Sequence, residues 1–233
     1  MRTRVAFLLA IAVFLFASIH HPATAEPRQP APFNWTGFYV GAQGGYLKAH
    51  TNYTNPATPT QDFKGGIWGG QLGYNYQIKQ LVLGIEGDGA WGSGLDTFIH
   101  DGNFLTENGK IDWMFTVRGR VGYAFGNFLP YGTVGRAWVR LEQGTACPAG
   151  ATFGVCVLTG AFNIQLAQTF TGWVYGGGVE YAFNKNWSVK GEALWTKLDD
   201  QIYTSNVPNA GVVSATVGLT TTTIVRAGLN YRF

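Results

Sequence analysis

Glu86, Asp88, Glu180 and Glu192 stand among alternating apolar residues, and so do Arg118, Arg120, Lys190, Arg226 and Arg232. Side chains of these types can pair with one another, line a passage for ions, or exchange protons in catalysis. Arginine suits pairing, because its planar guanidinium can hold a carboxylate through two hydrogen bonds. Catalysis has little to build on. Beyond residue 25 the histidines are His50 and His100, and neither has beside it the nucleophile and orienting group that a Ser/His or Asp/His arrangement needs. The run Gly41-Ala42-Gln43-Gly44-Gly45 lacks the Lys-Ser/Thr ending of a phosphate loop. Cys147 and Cys156, with no histidine nearby, supply too few ligands for a metal. No catalytic, metal or cofactor-binding residue is expected.

The charges share a face because the segments that carry them alternate. Thr221, Thr223, Val225, Ala227, Leu229, Tyr231 and Phe233 fall on one side of the closing segment, and Thr222, Ile224, Arg226, Gly228, Asn230 and Arg232 on the other. A period of two marks a strand, and an apolar face opposite a polar one suits a barrel wall with lipid outside and a polar lumen inside. Seven more strands are expected, at about 35–48, 65–77, 81–91, 111–125, 129–141, 171–183 and 187–198. In the fifth, the apolar side is least regular; Arg136 and Arg140 share a face and would join the inner charges if that face turns inward. Aromatics end the apolar faces, among them Tyr46, Trp68, Tyr76, Trp91, Tyr131 and Phe233, as girdles at two membrane interfaces would.

Connections alternate in length. Long ones cover about 49–64, 92–110, 142–170 and 199–220, and short ones lie near 78–80, 126–128 and 184–186. Bacterial barrels have an even number of strands, short periplasmic turns and longer external loops. The expected fold is therefore all-β, an eight-stranded antiparallel transmembrane β-barrel. A soluble barrel of the lipocalin type would carry its apolar face inside instead.

The N-terminal residues agree with export. Arg2 and Arg4 precede an apolar run from Val5 to Ile19 and then Ala23-Thr24-Ala25, the pattern of a secretory signal cleaved after Ala25. The run is short for a spanning helix of roughly 20 residues. Residues 26–34, with Pro27, Pro30 and Pro32, read as a periplasmic lead-in, and 35–233 as the barrel. Charged residues make up 12% of the chain and hydrophobic ones 46%, which excludes low-complexity disorder. Without Arg2 and Arg4 the formal net charge of +3 falls to +1, so nothing points to nucleic acid. In an exported chain Cys147 and Cys156 would either pair across a small loop or stay as two thiols.

Eight strands enclose an interior that side chains just fill. Glu86, Asp88, Glu180, Glu192 and the five bases would then form a salt-bridged plug, or else line a narrow, gated pore.

Several spaced motifs carry a family likeness. Asn34-Trp35-Thr36-Gly37-Phe38-Tyr39-Val40-Gly41, Gly84-Ile85-Glu86-Gly87-Asp88, Thr116 to Phe125, Gly178 to Phe183 and Val225 to Phe233 resemble the alphaproteobacterial immunogenic outer-membrane porin-like proteins. The resemblance implies an OmpA-like eight-stranded barrel in the outer membrane of a Gram-negative bacterium, an envelope structural protein or porin that is often a surface antigen. It implies that the barrel-assembly machinery reads the final aromatics, Tyr231 and Phe233, as an insertion signal. Some relatives bind haem. No catalytic residue carries over, and the 142–170 connection with its two cysteines matches no family feature. The expected partners are outer-membrane lipid or lipopolysaccharide, the assembly machinery and a surface ligand held by loops. The expected function is an envelope structural protein with at most a narrow pore; a diffusion porin, or a loop-mediated binder of haem or a host molecule, is the alternative.

Overall fold

Each period-two segment is a strand in the computed structural model, which describes residues 33–53, 61–93, 96–99, 106–150, 160–207 and 211–233. The strands are β1 (Gly37–Tyr53), β2 (Gln61–Ile78), β3 (Leu81–Ser93), β4 (Asp96–Ile99), β5 (Thr106–Tyr123), β6 (Phe128–Cys147), β7 (Phe162–Ala182), β8 (Trp187–Leu198), β9 (Gln201–Val207) and β10 (Gly211–Arg232). Eight of them form the wall in the order β1-β2-β3-β5-β6-β7-β8-β10, and β10 pairs with β1 to close it. The short β4 and β9 pair with β5 and β10 beyond the wall. Closure satisfies the backbone groups that lipid cannot, which is why an open sheet would fail here.

The stagger of the wall follows from its register. Tyr39 faces Gly73, then Glu86, Arg118, Gly135, Val174, Thr196 and Thr222 in turn, and Thr222 faces Ala49, ten residues beyond the start on β1. Eight strands with that shear tilt by about 40° and enclose a cylinder of about 8 Å radius at the backbone.

Outward aromatics recur at a fixed distance: Phe38 and Tyr46, Trp68 and Tyr76, Phe115 and Tyr123, Trp187 and Trp195 are each eight residues apart and exposed. At this tilt eight residues span about 20 Å along the barrel axis, close to the apolar band of an outer-membrane barrel. Two-residue turns, with positive φ at Lys79 and Gly126, close the rim that also holds the chain end.

At the other rim the strands outrun the expected ones. Residues 49–53, 106–110, 142–147, 162–170 and 211–220 belong to β1, β5, β6, β7 and β10 rather than to connections. Past the membrane both faces meet water, so the apolar alternation stops while the hydrogen-bond ladder continues. Residues 1–32, with the expected signal and most of the lead-in, lie outside the described residues. Trp35, expected at the start of the first strand, precedes β1 and is fully buried, its backbone N–H donating to Gln77 Oε1 (2.6 Å) and its indole N–H to the Gly126 carbonyl (3.0 Å).

Candidate functional site in the barrel interior

The interior is built in three layers. Trp35, Val82, Ala124, Leu129 and Ala182, with Phe33 against them, pack at the short-turn end. A larger apolar layer that includes Leu47, Ile67, Met114, Phe170, Leu194 and Ile224 packs toward the long-strand end. Between them lie the charges. The expected polar lumen is thus refined: toward either end the inward positions are mainly apolar, because small and branched side chains fill the section where no counter-charge stands opposite, with Thr196, Thr222 and Arg232 as polar residues among them.

In the middle layer Glu86, Asp88, Glu180 and Glu192 meet Arg118, Arg120, Lys190 and Arg226, four carboxylates with four cations, all buried. Arg118 is the hub. Its Nη2 donates to Glu86 (2.5 Å) and Asp88 (3.2 Å), its Nη1 to Glu192 (3.1 Å), and its Nε to Thr116 Oγ1 (3.0 Å). Arg120 donates to Glu180 (2.6 Å), and Lys190 donates to both oxygens of Glu86 (2.8 and 2.9 Å). Arg226 spans Glu192, at 2.6 Å, and Asp88. Mutual neutrality is what allows such charges away from water; each bond satisfies a group whose burial alone would cost several kcal/mol, about the scale for an unpaired ion.

Neutral groups extend the network, and the charged residues alone did not reveal them. Tyr39 donates to Glu86 (2.7 Å) and accepts from Arg120 (3.2 Å). Ser188 and Asn230 donate to Glu180 at 2.6 and 2.9 Å, Gln43 donates to Asp88 at 3.1 Å, and the Thr116 hydroxyl donates to Asp88. All five occupy inward positions of their strands, so parity was the available signal. Room for the long side chains comes from glycine: a Cβ on Gly178 would collide with the Gly191 carbonyl and Glu192 Cβ.

One expected position differs, and two that the alternation left open resolve outward. Tyr131, expected in an aromatic girdle, points inward, donates to Glu192 (3.2 Å) and lies under the Arg120 guanidinium, 4.1 Å from its ring centre. Arg136 and Arg140 turn outward, Arg136 over the exposed Trp173 ring at 5.2 Å. One parity governs both results: β6 carries Leu129, Tyr131, Thr133, Ala137 and Val139 inward, so even-numbered residues face out. Arg232 is inward and buried but stands apart from the carboxylates. It donates to the Asn34 carbonyl (2.6 Å) and stacks on Phe33 and Trp35 at 4.5 and 4.8 Å, sealing the short-turn end.

Of the remaining candidates, His50 lies in β1 and His100 lies outside the described residues. Cys147, buried at the end of β6, is disulfide-bonded, and Cys156 lies outside the described residues. Tyr231 and Phe233 meet edge to face at 5.3 Å, and the Phe233 N–H donates to the Phe38 carbonyl (3.1 Å), tying the chain end to β1.

Known proteins share this architecture. Residues 9–233 match the family model of the outer membrane protein beta-barrel domain. The chain is 34% identical over 230 residues to the 31 kDa outer-membrane immunogenic protein of Brucella melitensis, covering 90% of each. It is 37% identical over 142 residues to a 22 kDa outer membrane protein of Rhizobium leguminosarum bv. viciae, covering 59% of this chain and 60% of that one. Among solved structures, a major outer membrane protein of Thermus thermophilus has a TM-score of 0.53 at 14% identity, covering 84% of this chain and 99% of the other. OprG of Pseudomonas aeruginosa has a TM-score of 0.50 at 12% identity, with 86% and 98% covered; both share the fold alone. With a closed wall, two aromatic girdles and relatives named as outer-membrane proteins, the chain belongs to the outer-membrane β-barrel family of Gram-negative bacteria.

Proposed function

We propose that this protein is a structural component of the outer membrane, a barrel that spans and braces the bilayer without conducting through its lumen. The observation that carries this reading is the three-layer interior, with a neutral ion-pair layer held between two apolar layers. Ions crossing it would have to break paired charges and then pass apolar constrictions, both unfavourable. Catalysis has no part in the reading, since the interior carboxylates are engaged by guanidinium, ammonium and hydroxyl groups. The outer wall takes membrane lipid as its partner, and the assembly machinery reads the tethered Tyr231 and Phe233.

Planar-bilayer recording of the refolded protein tests this directly. The expected result is an electrically silent barrel or rare, small openings. Steady, ion-selective channels would replace this reading with that of a diffusion porin.

A further inference from the structure

The outward face at the level of the long-strand girdle carries cations in register. Arg136 on β6 faces Trp173 on β7, which faces Lys197 on β8, so an indole lies between two basic residues in one cross-strand row. All three point away from the lumen, and the Arg136 guanidinium lies over the Trp173 ring at 5.2 Å. Cross-strand neighbours are about 5 Å apart, so the Arg136 and Lys197 backbones stand about 10 Å apart, within reach of one another's side-chain heads.

Their height is fixed by the girdle. Lys197 lies two residues past Trp195, and Arg140 two past Trp138, each about 5 Å beyond the aromatic belt at this tilt. Arg136 sits just inside the belt, and its aliphatic stem can run along the wall while its head reaches the interface. Arg140 has acidic neighbours, Asp112 at 3.9 Å and Glu142 at 4.0 Å, and Asp112 also lies 3.9 Å from Lys110. These are long, half-exposed pairs, and a guanidinium has donors to spare beyond them. This level, on the side of the long strands, is where the outer leaflet places its headgroups.

We infer that Arg136, Trp173 and Lys197, with Arg140 above them, form a site on the outer wall for the phosphate groups of an outer-leaflet glycolipid. The guanidinium supplies a planar fork for phosphate oxygens, Lys197 a second charge, and Trp173 a flat surface at the boundary between acyl chain and headgroup. The site lies on the lipid face, so it stands or falls separately from whether the lumen conducts.

The test compares retention of diphosphoryl lipid A by the refolded protein, extracted from phosphatidylcholine vesicles that contain it and measured by native mass spectrometry. Retention should fall about fivefold for each charge removed in the series Arg136→Gln, Lys197→Gln and Arg140→Gln. A Lys79→Gln/Lys185→Gln variant, altered at exposed turns of the opposite rim, should retain as much as the parent. The dephosphorylated lipid should be retained no better by the parent than by the triple variant. Equal retention by parent and triple variant, equal loss in the opposite-rim variant, or full displacement by inorganic phosphate alone would overturn the inference. Heat-modifiable gel mobility verifies that every variant is folded, since these side chains lie outside the packed interior.

Discussion

Phe125 and Phe128 pair across the Gly126-Asn127 turn, each backbone N–H donating to the other's carbonyl (2.8 and 3.2 Å), and this bridge sets the direction of every side chain in β6. Antiparallel partners point to the same face, so an outward Phe125 requires an outward Phe128. Even-numbered residues of β6 then face lipid, and Tyr131 enters the core while Arg136 and Arg140 leave it.

Tyr131→Phe should therefore lower stability by about 1.5 kcal/mol, because a buried hydroxyl that donates to a carboxylate is lost. Tyr123→Phe, on the lipid face, should change it by less than about 0.5 kcal/mol. Equilibrium urea unfolding in vesicles measures both. Equal effects would place Tyr131 outside the network.

Arg118 holds three carboxylates, so Arg118→Met leaves three buried acids short of a partner. A loss of about 3–5 kcal/mol is expected. Adding Glu86→Gln should restore part of it, since one uncompensated charge goes; a strictly additive double variant would contradict coupling between the two. The same unfolding assay, run as a double-mutant cycle, gives the answer.

The apolar layer toward the long-strand end is predicted to matter for both stability and closure. Phe170→Ala should cost about 3–5 kcal/mol, the range for truncating a fully buried aromatic. Phe170→Ala combined with Leu194→Ala should also raise the frequency of openings in planar-bilayer records above that of the Arg118→Met variant alone. If the ion-pair variant opens the barrel and the apolar one does not, the seal lies in the charged layer.

If the assembly machinery reads Phe233, as proposed, its removal should separate assembly from folding. The residue is 77% exposed, so little packing is lost when it is deleted. Refolding into vesicles should proceed nearly as before, while insertion in cells, followed by surface protease protection, should fall severalfold. Normal cellular insertion of the shortened chain would remove Phe233 from the assembly signal.

Most of the wall is legible in the alternation along the chain. The inward placement of Glu86, Asp88, Arg118, Glu180 and Glu192 follows from their neighbours, because lipid on one face and a lumen on the other impose a period of two on each strand. β6 is harder to read, since Val134, Arg136 and Arg140 share its outward face and blur the contrast between the two sides. Its parity is nonetheless present in the tight turn before it.

The eight wall strands, most of their faces and the compartment are thus legible in the sequence alone, each written in residues close to one another along the chain, whereas β4 and β9 lie in segments read as connections. The meetings across the lumen are not. Lys190 reaches Glu86 across 104 residues of chain, Arg226 reaches Asp88 across 138, and the apolar layer joins Leu47 to Phe170 and Ile224. These depend on the ten-residue stagger at which β10 closes onto β1, a sum of every register around the wall. Only the closed tertiary structure sets that sum, and with it whether nine inward charges become a passage or a plug.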